Sequence, residues 1–167
     1  MRSAQFELDA IDMKILRELQ ADGRMTNVEL AERVGISAPP CLRRVRKLED
    51  AGYIKKYRAI LDANALGYSL SAFCSVGLTH QSEIELKRFS ELLQTWSIVR
   101  EAWMISGESD FLLYCVAKNL AEFQTFVIES LTSARNVDTV RTMLTIRSVK
   151  DETPVHLDGL VGPHSLT

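Results

Sequence analysis

The segment TNVELAERVGISAPPCLRRVRKLEDAG, residues 26–52, decides the fold of the N-terminal part of the chain. Thr26 and Glu29 have the spacing of a capping box, in which each side chain bonds the other residue's backbone N–H. The helix that starts there is expected to end at Gly35, because glycine is favoured just past a helix C-terminus. Ser37 is expected to cap the next helix after a very short connection. This spacing predicts a helix-turn-helix.

The second helix of this pair, Ser37–Ala51, is predicted to have one apolar and one basic face. Its apolar stripe, expected to pack inward, consists of Cys41, Leu42, Val45 and Leu48. A helix that exposes basic side chains from its first turns fits a DNA major groove. The candidate DNA-contacting residues are Ser37, Pro39, Pro40, Arg43, Arg44, Arg46, Lys47, Lys55 and Lys56.

These residues have different expected roles. Arg43 is the best candidate to contact a base edge, whereas Arg46 and Lys47 are expected to contact phosphates. Lys55 and Lys56 continue the basic surface toward the flanking DNA backbone. Arg44 lies on the flank of the helix, where an ion pair with an acid such as Asp12 or Glu49 is the alternative to a DNA contact. For the basic face as a whole, the alternative is a merely solvated helix surface.

The charge distribution supports a nucleic-acid surface that the total charge hides. The whole chain has a formal net charge of −2. Residues 1–60 contain 12 basic and 9 acidic side chains, whereas residues 61–167 contain 8 and 13. Within 37–58 there are 7 basic and 2 acidic side chains. A local basic patch on an acidic chain is consistent with phosphate binding.

Outward from this segment, the sequence predicts an α+β protein. Apolar residues at helical spacing predict a helix over Leu8–Gln20, and Tyr53–Ile60 has short-strand character. The second half alternates as βαββαβ, a ferredoxin-like order. Its predicted strands and helices are Leu70–Leu78, Ser82–Thr95 with Ile84 among the inward-facing residues, Ile98–Ile105, Phe111–Ala117, Leu120–Ser133 and Asn136–Val149.

Four regions follow from these patterns. They are a helix-turn-helix (winged-helix-like) domain at 1–60, a linker at 61–69, a ferredoxin-like domain at 70–150 and a flexible tail at 151–167.

The sequence gives little sign of catalysis, metal binding or a membrane. Three cysteines without close spacing and three scattered histidines predict buried reduced thiols and no metal site. No nucleophile–base pair or glycine-rich phosphate loop is visible, so no catalytic residue and no cofactor are predicted. With neither a long apolar run nor a signal peptide, a cytoplasmic protein without a membrane partner is expected.

Several of these motifs together resemble the leucine-responsive/asparagine-synthesis (Lrp/AsnC) regulator family over about residues 8–150. The resemblance rests on LDAID at 8–12, DGR at 22–24, VGIS at 34–37 and GYI at 52–54, and on SGESDFLL at 106–113. Two positions depart from the pattern, with Lys56 and Asn136 where glycine is common in the family. Asparagine tolerates the left-handed backbone region, so the turn at Asn136 is expected to survive.

The resemblance implies a transcription regulator that binds double-stranded DNA and pairs through its sheets into homodimers, often building octamers. It also implies an amino-acid effector near the turn between the second and third strands, which maps onto Gly107, Glu108, Ser109 and Asp110. Backbone N–H groups there could bind a carboxylate and an acid an ammonium, although a plain hairpin turn is the alternative. Two other functions stay open, a ligand-independent architectural DNA binder and a small ferredoxin-like enzyme.

Overall fold

A computed structural model describes residues 7–150 and 155–157. These residues divide into two compact units, one of residues 7–60 with 150 and 155–157, and one of residues 61–149. No helix within the described residues is long and apolar enough to cross a membrane. The elements in chain order are α1 (Ala10–Ala21), α2 (Asn27–Val34), α3 (Ala38–Asp50), β1 (Leu70–Leu78), α4 (Glu83–Leu93), β2 (Val99–Met104), β3 (Phe111–Ala117), α5 (Leu120–Thr125) and β4 (Val137–Leu144).

The first unit is a bundle of α1, α2 and α3. Helix α1 begins with a capping box in which Asp9 and Asp12 bond each other's backbone N–H groups. The predicted capping box of α2 is present, and Gly35 ends that helix in the left-handed region with φ 78°. The helices share a core whose fully or nearly buried members are Ile15, Leu16, Leu30, Ala31, Val34, Cys41 and Leu48.

Two details of this unit differ from the prediction. Tyr53–Ile60 forms no strand in the described structure. A strand needs a hydrogen-bonded neighbouring strand, whereas the backbone N–H groups of Tyr53 and Ile54 donate to Leu48 near the end of α3. Leu42 is 39% exposed instead of packed inward. It lies about 100° around the helix from Cys41, which together with Leu48 defines the buried stripe.

Three residues of the predicted flexible tail belong to this unit. Gln20 holds the backbone of Val155 at both ends of its amide group, accepting from the N–H at 2.7 Å and donating to the carbonyl at 3.1 Å. Leu157 packs against the apolar core of the helices. The other residues of 151–167 lie outside the described part of the chain.

The second unit has the predicted βαββαβ order. Its four strands form one antiparallel sheet in the order β2-β3-β1-β4. One face packs against the helices around a core that includes Cys74, Phe89, Leu113 and Leu131. Ile84, expected to face this core, is 65% exposed. It lies about 180° around α4 from the buried Leu93.

The opposite face of the sheet is not covered by helices of this unit. Paired residues on neighbouring strands lie on the same face, so the register places Glu101, Tyr114, Phe73 and Met143 in one row across the sheet. Trp103, Leu112, Ser75 and Arg141 form the next row. Five large apolar or aromatic side chains thus share an open face, with Trp103 43% exposed and Met143 half exposed.

Two segments of this unit depart from regular helix or strand geometry. The helix predicted over 120–133 changes after α5 into a π-helical segment, Phe126–Leu131. Asn136 adopts the left-handed region with φ 70°, as its type predicted. Its side-chain amide also bonds the backbone of His80 in both directions, at 2.8 and 2.9 Å, and so ties the start of β4 to the end of β1.

Candidate nucleic-acid interface and effector turn

The outward face of α3 brings most of the predicted DNA-contacting residues together. Arg43, Arg46 and Lys47 are exposed, and Pro39 is exposed at the first turn. One surface depression is lined by Pro39, Leu42, Arg43, Arg46, Lys47 and Asp50. Pro40 is only half-exposed and does not line this depression. The face can contact a polyanion because its cations point away from the core.

The N-terminus of α3 is capped differently from the prediction. Ser37 stands at the N-cap position, but its side chain makes no capping hydrogen bond. An N-cap oxygen normally accepts from the N–H of the second or third helical residue, and here these residues are Pro39 and Pro40, which have none. The exposed Ser37 hydroxyl therefore finds no backbone N–H at these two positions from which to accept. It can donate to a phosphate.

Arg44 does not belong to the exposed basic face. Its guanidinium lies 2.7 Å from Asp9 and 2.7 Å from Asp12, and Asp12 is only 2% exposed. The ion pair with Asp12, which the sequence left as an alternative, is the observed arrangement. Hydrogen bonds from Arg44 to Asp12 and Asp9 raise the pKa of the guanidinium. Arg44 is thus corrected from a DNA contact to a structural residue that joins α3 to α1.

The same ion pair and the N-cap bonds act on Asp9. Desolvation raises the pKa of Asp9, but hydrogen bonds from the backbone of Asp12 and Ile11 and from Arg44 outweigh it, so this pKa lies below its usual value. The acid at the start of α1 therefore stays ionised and keeps both its cap and its ion pair.

The segment after α3 is held beside that helix by Tyr57. Its hydroxyl donates to Glu49 at 3.0 Å. Burial, together with this bond to an acid, raises the pKa of Tyr57 to about 12. Lys55 and Lys56, which follow α3, are exposed and extend its basic surface. They remain the residues predicted to contact the flanking DNA backbone.

Asn27 positions α3, a role that the sequence pattern did not predict. Its side-chain amide donates to the carbonyl of Ala38 at 2.9 Å and so links the first turn of α2 to the first turn of α3. The signal available was weak, because asparagine in a first helical turn is common. This bond helps to fix the angle at which α3 is presented.

In the predicted effector turn, Asp110 is held by hydrogen bonds to β1, whereas Glu108 is exposed. Asp110 accepts from the N–H of Leu78 at 2.7 Å, and its own N–H donates to Val76 at 2.9 Å. Its carboxylate is thereby engaged in closing the end of β1. Gly107 has φ 133°, which only glycine adopts readily. Ser109 is half-buried beside it.

Glu108 is the exposed acid of this turn. It pairs with Arg141 at 2.9 Å, and both side chains are largely exposed. Because Arg141 lies on the open face of the sheet, this pair places one negative and one positive group at the edge of that face. These two charges match the two charged ends of a free amino acid.

The remaining candidate groups are the three cysteines and any cluster that could bind a metal. Cys41, Cys74 and Cys115 are free and buried. Contact with Cys74 and burial raise the pKa of the Cys115 thiol, which keeps it protonated. Across residues 7–150 and 155–157, no three His, Cys, Asp or Glu side chains are grouped to hold a metal.

Two family models match the chain in the two units. Residues 8–55 match winged helix-turn-helix DNA-binding, and residues 71–155 match the Lrp/AsnC ligand binding domain.

Individual relatives agree with these matches. The chain is 74% identical over 151 residues to the leucine-responsive regulatory protein of Rhizobium meliloti (strain 1021), covering 90% of this chain and 97% of that protein. It is 41% identical over 143 residues to the Bkd operon transcriptional regulator of Pseudomonas aeruginosa, covering 86% and 94% of the two chains.

Solved structures show the same architecture. The transcriptional regulator NMB0573 of Neisseria meningitidis, crystallised with L-Met, matches with a TM-score of 0.87 and 35% identity over 92% of this chain and 99% of that chain. An AsnC family transcriptional regulator from Agrobacterium tumefaciens matches with a TM-score of 0.84 and 32% identity, covering 90% and 98%. These relatives are regulators and not enzymes, so the enzyme alternative is wrong. The chain therefore belongs to the Lrp/AsnC family of transcription regulators, with a DNA-binding helix-turn-helix domain and the ligand-binding domain of that family.

Proposed function

We propose that this regulator binds double-stranded DNA in a sequence-specific way by inserting the outward face of α3 into a major groove. The observation that carries this is the exposed cluster of Arg43, Arg46 and Lys47 on a helix whose other side is buried. Arg43 is assigned to a base edge, and the other two residues to phosphates. The flanking contacts are assigned to Ser37, Pro39, Pro40, Lys55 and Lys56.

We also propose an amino-acid effector at the turn of residues 107–110. Glu108 and Arg141 supply the acid and the base that an α-ammonium and an α-carboxylate need, and the backbone at Gly107 is open to close approach. The L-Met complex of the Neisseria protein and the leucine-responsive name of the Rhizobium protein make apolar amino acids the first candidates. Asp110 holds the turn through its bonds with Leu78 and Val76, and Ser109 lies half-buried beside it in the proposed site.

The open face of the sheet is proposed to pair two copies of the chain. A row with Phe73, Tyr114 and Met143 is too apolar to favour exposure to water. A homodimer would present two α3 helices to successive major grooves about one helical turn apart. Higher assemblies such as an octamer would be built from such dimers. Because the named relatives are regulators from bacteria, whose DNA lies in the cytoplasm, the cytoplasm is the proposed location.

The test is a titration of the full chain against DNA from upstream of its own gene at two salt concentrations, with and without the twenty amino acids. Tight, salt-sensitive binding that one amino acid alters is the expected result. Binding that ignores every amino acid would leave a ligand-independent architectural protein. Absence of even weak binding at low salt would contradict the DNA-binding proposal.

Two variants separate the proposed sites. Arg43→Ala is expected to weaken binding to the specific site by about 10-fold or more, and binding to random DNA much less. Glu108→Gln is expected to leave DNA binding without effector unchanged and to remove the effector response. Asp138→Asn, an exposed acid on β4, is the matched control and should change neither property.

A further inference from the structure

Leu42 is an exposed apolar side chain in the middle of the basic face of α3. It is 39% exposed, whereas Cys41 and Leu48 on the same helix are fully buried. A large apolar group left this exposed contributes less to the core than its fully buried neighbours do. Its placement calls for a partner outside the chain.

The surroundings of Leu42 define that partner chemically. On a helix, residues three and four positions away are neighbours on the surface, and of these Pro39 and Arg46 are exposed. Leu42 lines one depression with these two and with Arg43 and Lys47. Its lining thus combines two apolar residues with three cations, and Asp50 is the acid that also lines it.

A surface that combines apolar side chains with several cations fits the major-groove edge of duplex DNA. Thymine presents a C5-methyl group there, close to the base acceptors and flanked by phosphates. A protein partner would instead need acidic side chains next to an apolar one.

We infer that Leu42, supported by Pro39, contacts the C5-methyl group of a thymine and determines sequence preference at that base pair. The inference rests on the proposed insertion of α3 into the major groove. It adds a residue that the apolar pattern of the sequence assigned to the core, and it adds a base that the basic residues do not read.

The experiment removes the methyl group from the DNA and the side chain from the protein in turn. Within a site located by footprinting with the full chain, each thymine is replaced singly by deoxyuridine, which keeps the base pair and lacks only the methyl group. The wild-type protein is expected to lose about fourfold in affinity at one or two positions per half-site, the effect of one buried methyl group. Leu42→Ala should bind thymine DNA several-fold more weakly and should no longer distinguish uracil at those positions.

Matched variants make the outcome specific. Arg43→Ala should bind more weakly overall but keep the response to uracil, and Leu42→Met should keep much of it. Because Leu42 is exposed, circular dichroism and the melting temperature of Leu42→Ala should equal those of the wild type. A wild-type protein indifferent to every uracil, or a Leu42→Ala protein with the wild-type response, would overturn the inference.

Two further outcomes point elsewhere. If Leu42→Ala changes the assembly state and leaves DNA affinity intact, the surface contacts protein and the inference is wrong. If the wild-type chain binds no DNA at all, the proposed function itself fails, a result that is distinct from loss of the uracil response alone.

Discussion

Arg44 lies on the same helix as Arg43 and Arg46, but its position around the helix gives it a different role. It bonds two carboxylates of α1, and one of them, Asp12, is almost fully buried. An ionised acid removed from water needs a partner, because burying an unpaired charge is costly. The triad therefore joins α3 to α1 and fixes the exposed face of α3.

Replacing Arg44 by Ala should destabilise the helical unit by about 2–3 kcal/mol, below the range for fully buried pairs because Arg44 is partly exposed. The loss follows from leaving Asp12 buried without its cation. Amide hydrogen exchange in α1 and α3 measures it. Trp96 and Trp103 both lie in the other unit, so their fluorescence reports separately that the sheet is intact.

Arg46→Ala is the control, since Arg46 is exposed on the same helix. It should change the free energy of unfolding by less than about 0.5 kcal/mol. Equal losses in the two variants would show that the triad adds no stability.

At the scale of the element, the N-termini of α2 and α3 give a matched pair of cap positions. The Thr26 hydroxyl accepts from the backbone N–H of Glu29, and the Glu29 carboxylate accepts from the backbone N–H of Thr26 at 2.8 Å. Ser37 has no such bond, because prolines occupy the positions of the donors. Two residues of similar chemistry thus differ in what they contribute to their helices.

Thr26→Ala should therefore cost about 1 kcal/mol of stability, and Ser37→Ala close to none. Urea unfolding of each variant, followed by circular dichroism, tests this. Ser37→Ala should still weaken DNA binding if its hydroxyl contacts a phosphate. A Ser37→Ala protein as destabilised as Thr26→Ala would contradict this account of the cap.

The segment at 155–157 is a second case at this scale. Leu157 packs on the helical core, whereas the side chain of Val155 is exposed and only its backbone is bound by Gln20. Leu157→Ala should lower the stability of the helical unit by about 1–2 kcal/mol, less than for a fully buried leucine. Val155→Ala keeps the backbone bonds and should have little effect. Hydrogen exchange in α1 is the measurement, and identical protection in both variants would argue against a stabilising role.

At the scale of the whole molecule, the open face of the sheet is an apolar surface that the helices of its own unit leave uncovered. Trp103 lies within it and is partly exposed. Burying this row between two copies would remove apolar area from water on both chains.

Trp103→Glu should shift the protein from dimer toward monomer, because a buried carboxylate without a partner opposes association. Analytical ultracentrifugation over a range of concentrations measures the shift, and DNA affinity should fall with it. Ile84→Glu, at a more exposed apolar position on α4, is the control and should leave the dimer intact. A Trp103→Glu protein that still forms the wild-type dimer would place the pairing surface elsewhere.

The sequence by itself determined the features that depend on near neighbours along the chain. The capping box at Thr26, the left-handed Gly35 and Asn136 and the βαββαβ order all follow from local spacing and backbone preference. The same holds for β1 and β3, whose bounds match the prediction. Such signals are short-range, so they survive without knowledge of the packing.

Only the tertiary structure decided which flank of each apolar stripe is covered. Leu42 and Ile84 fit helical spacing as well as their buried neighbours do, but among the described residues their side chains stay 39% and 65% exposed. The partner of Arg44 and the docking of Leu157 join residues far apart in sequence. Periodicity gives the direction of a side chain around its own helix, and the neighbouring elements determine whether water or protein lies there.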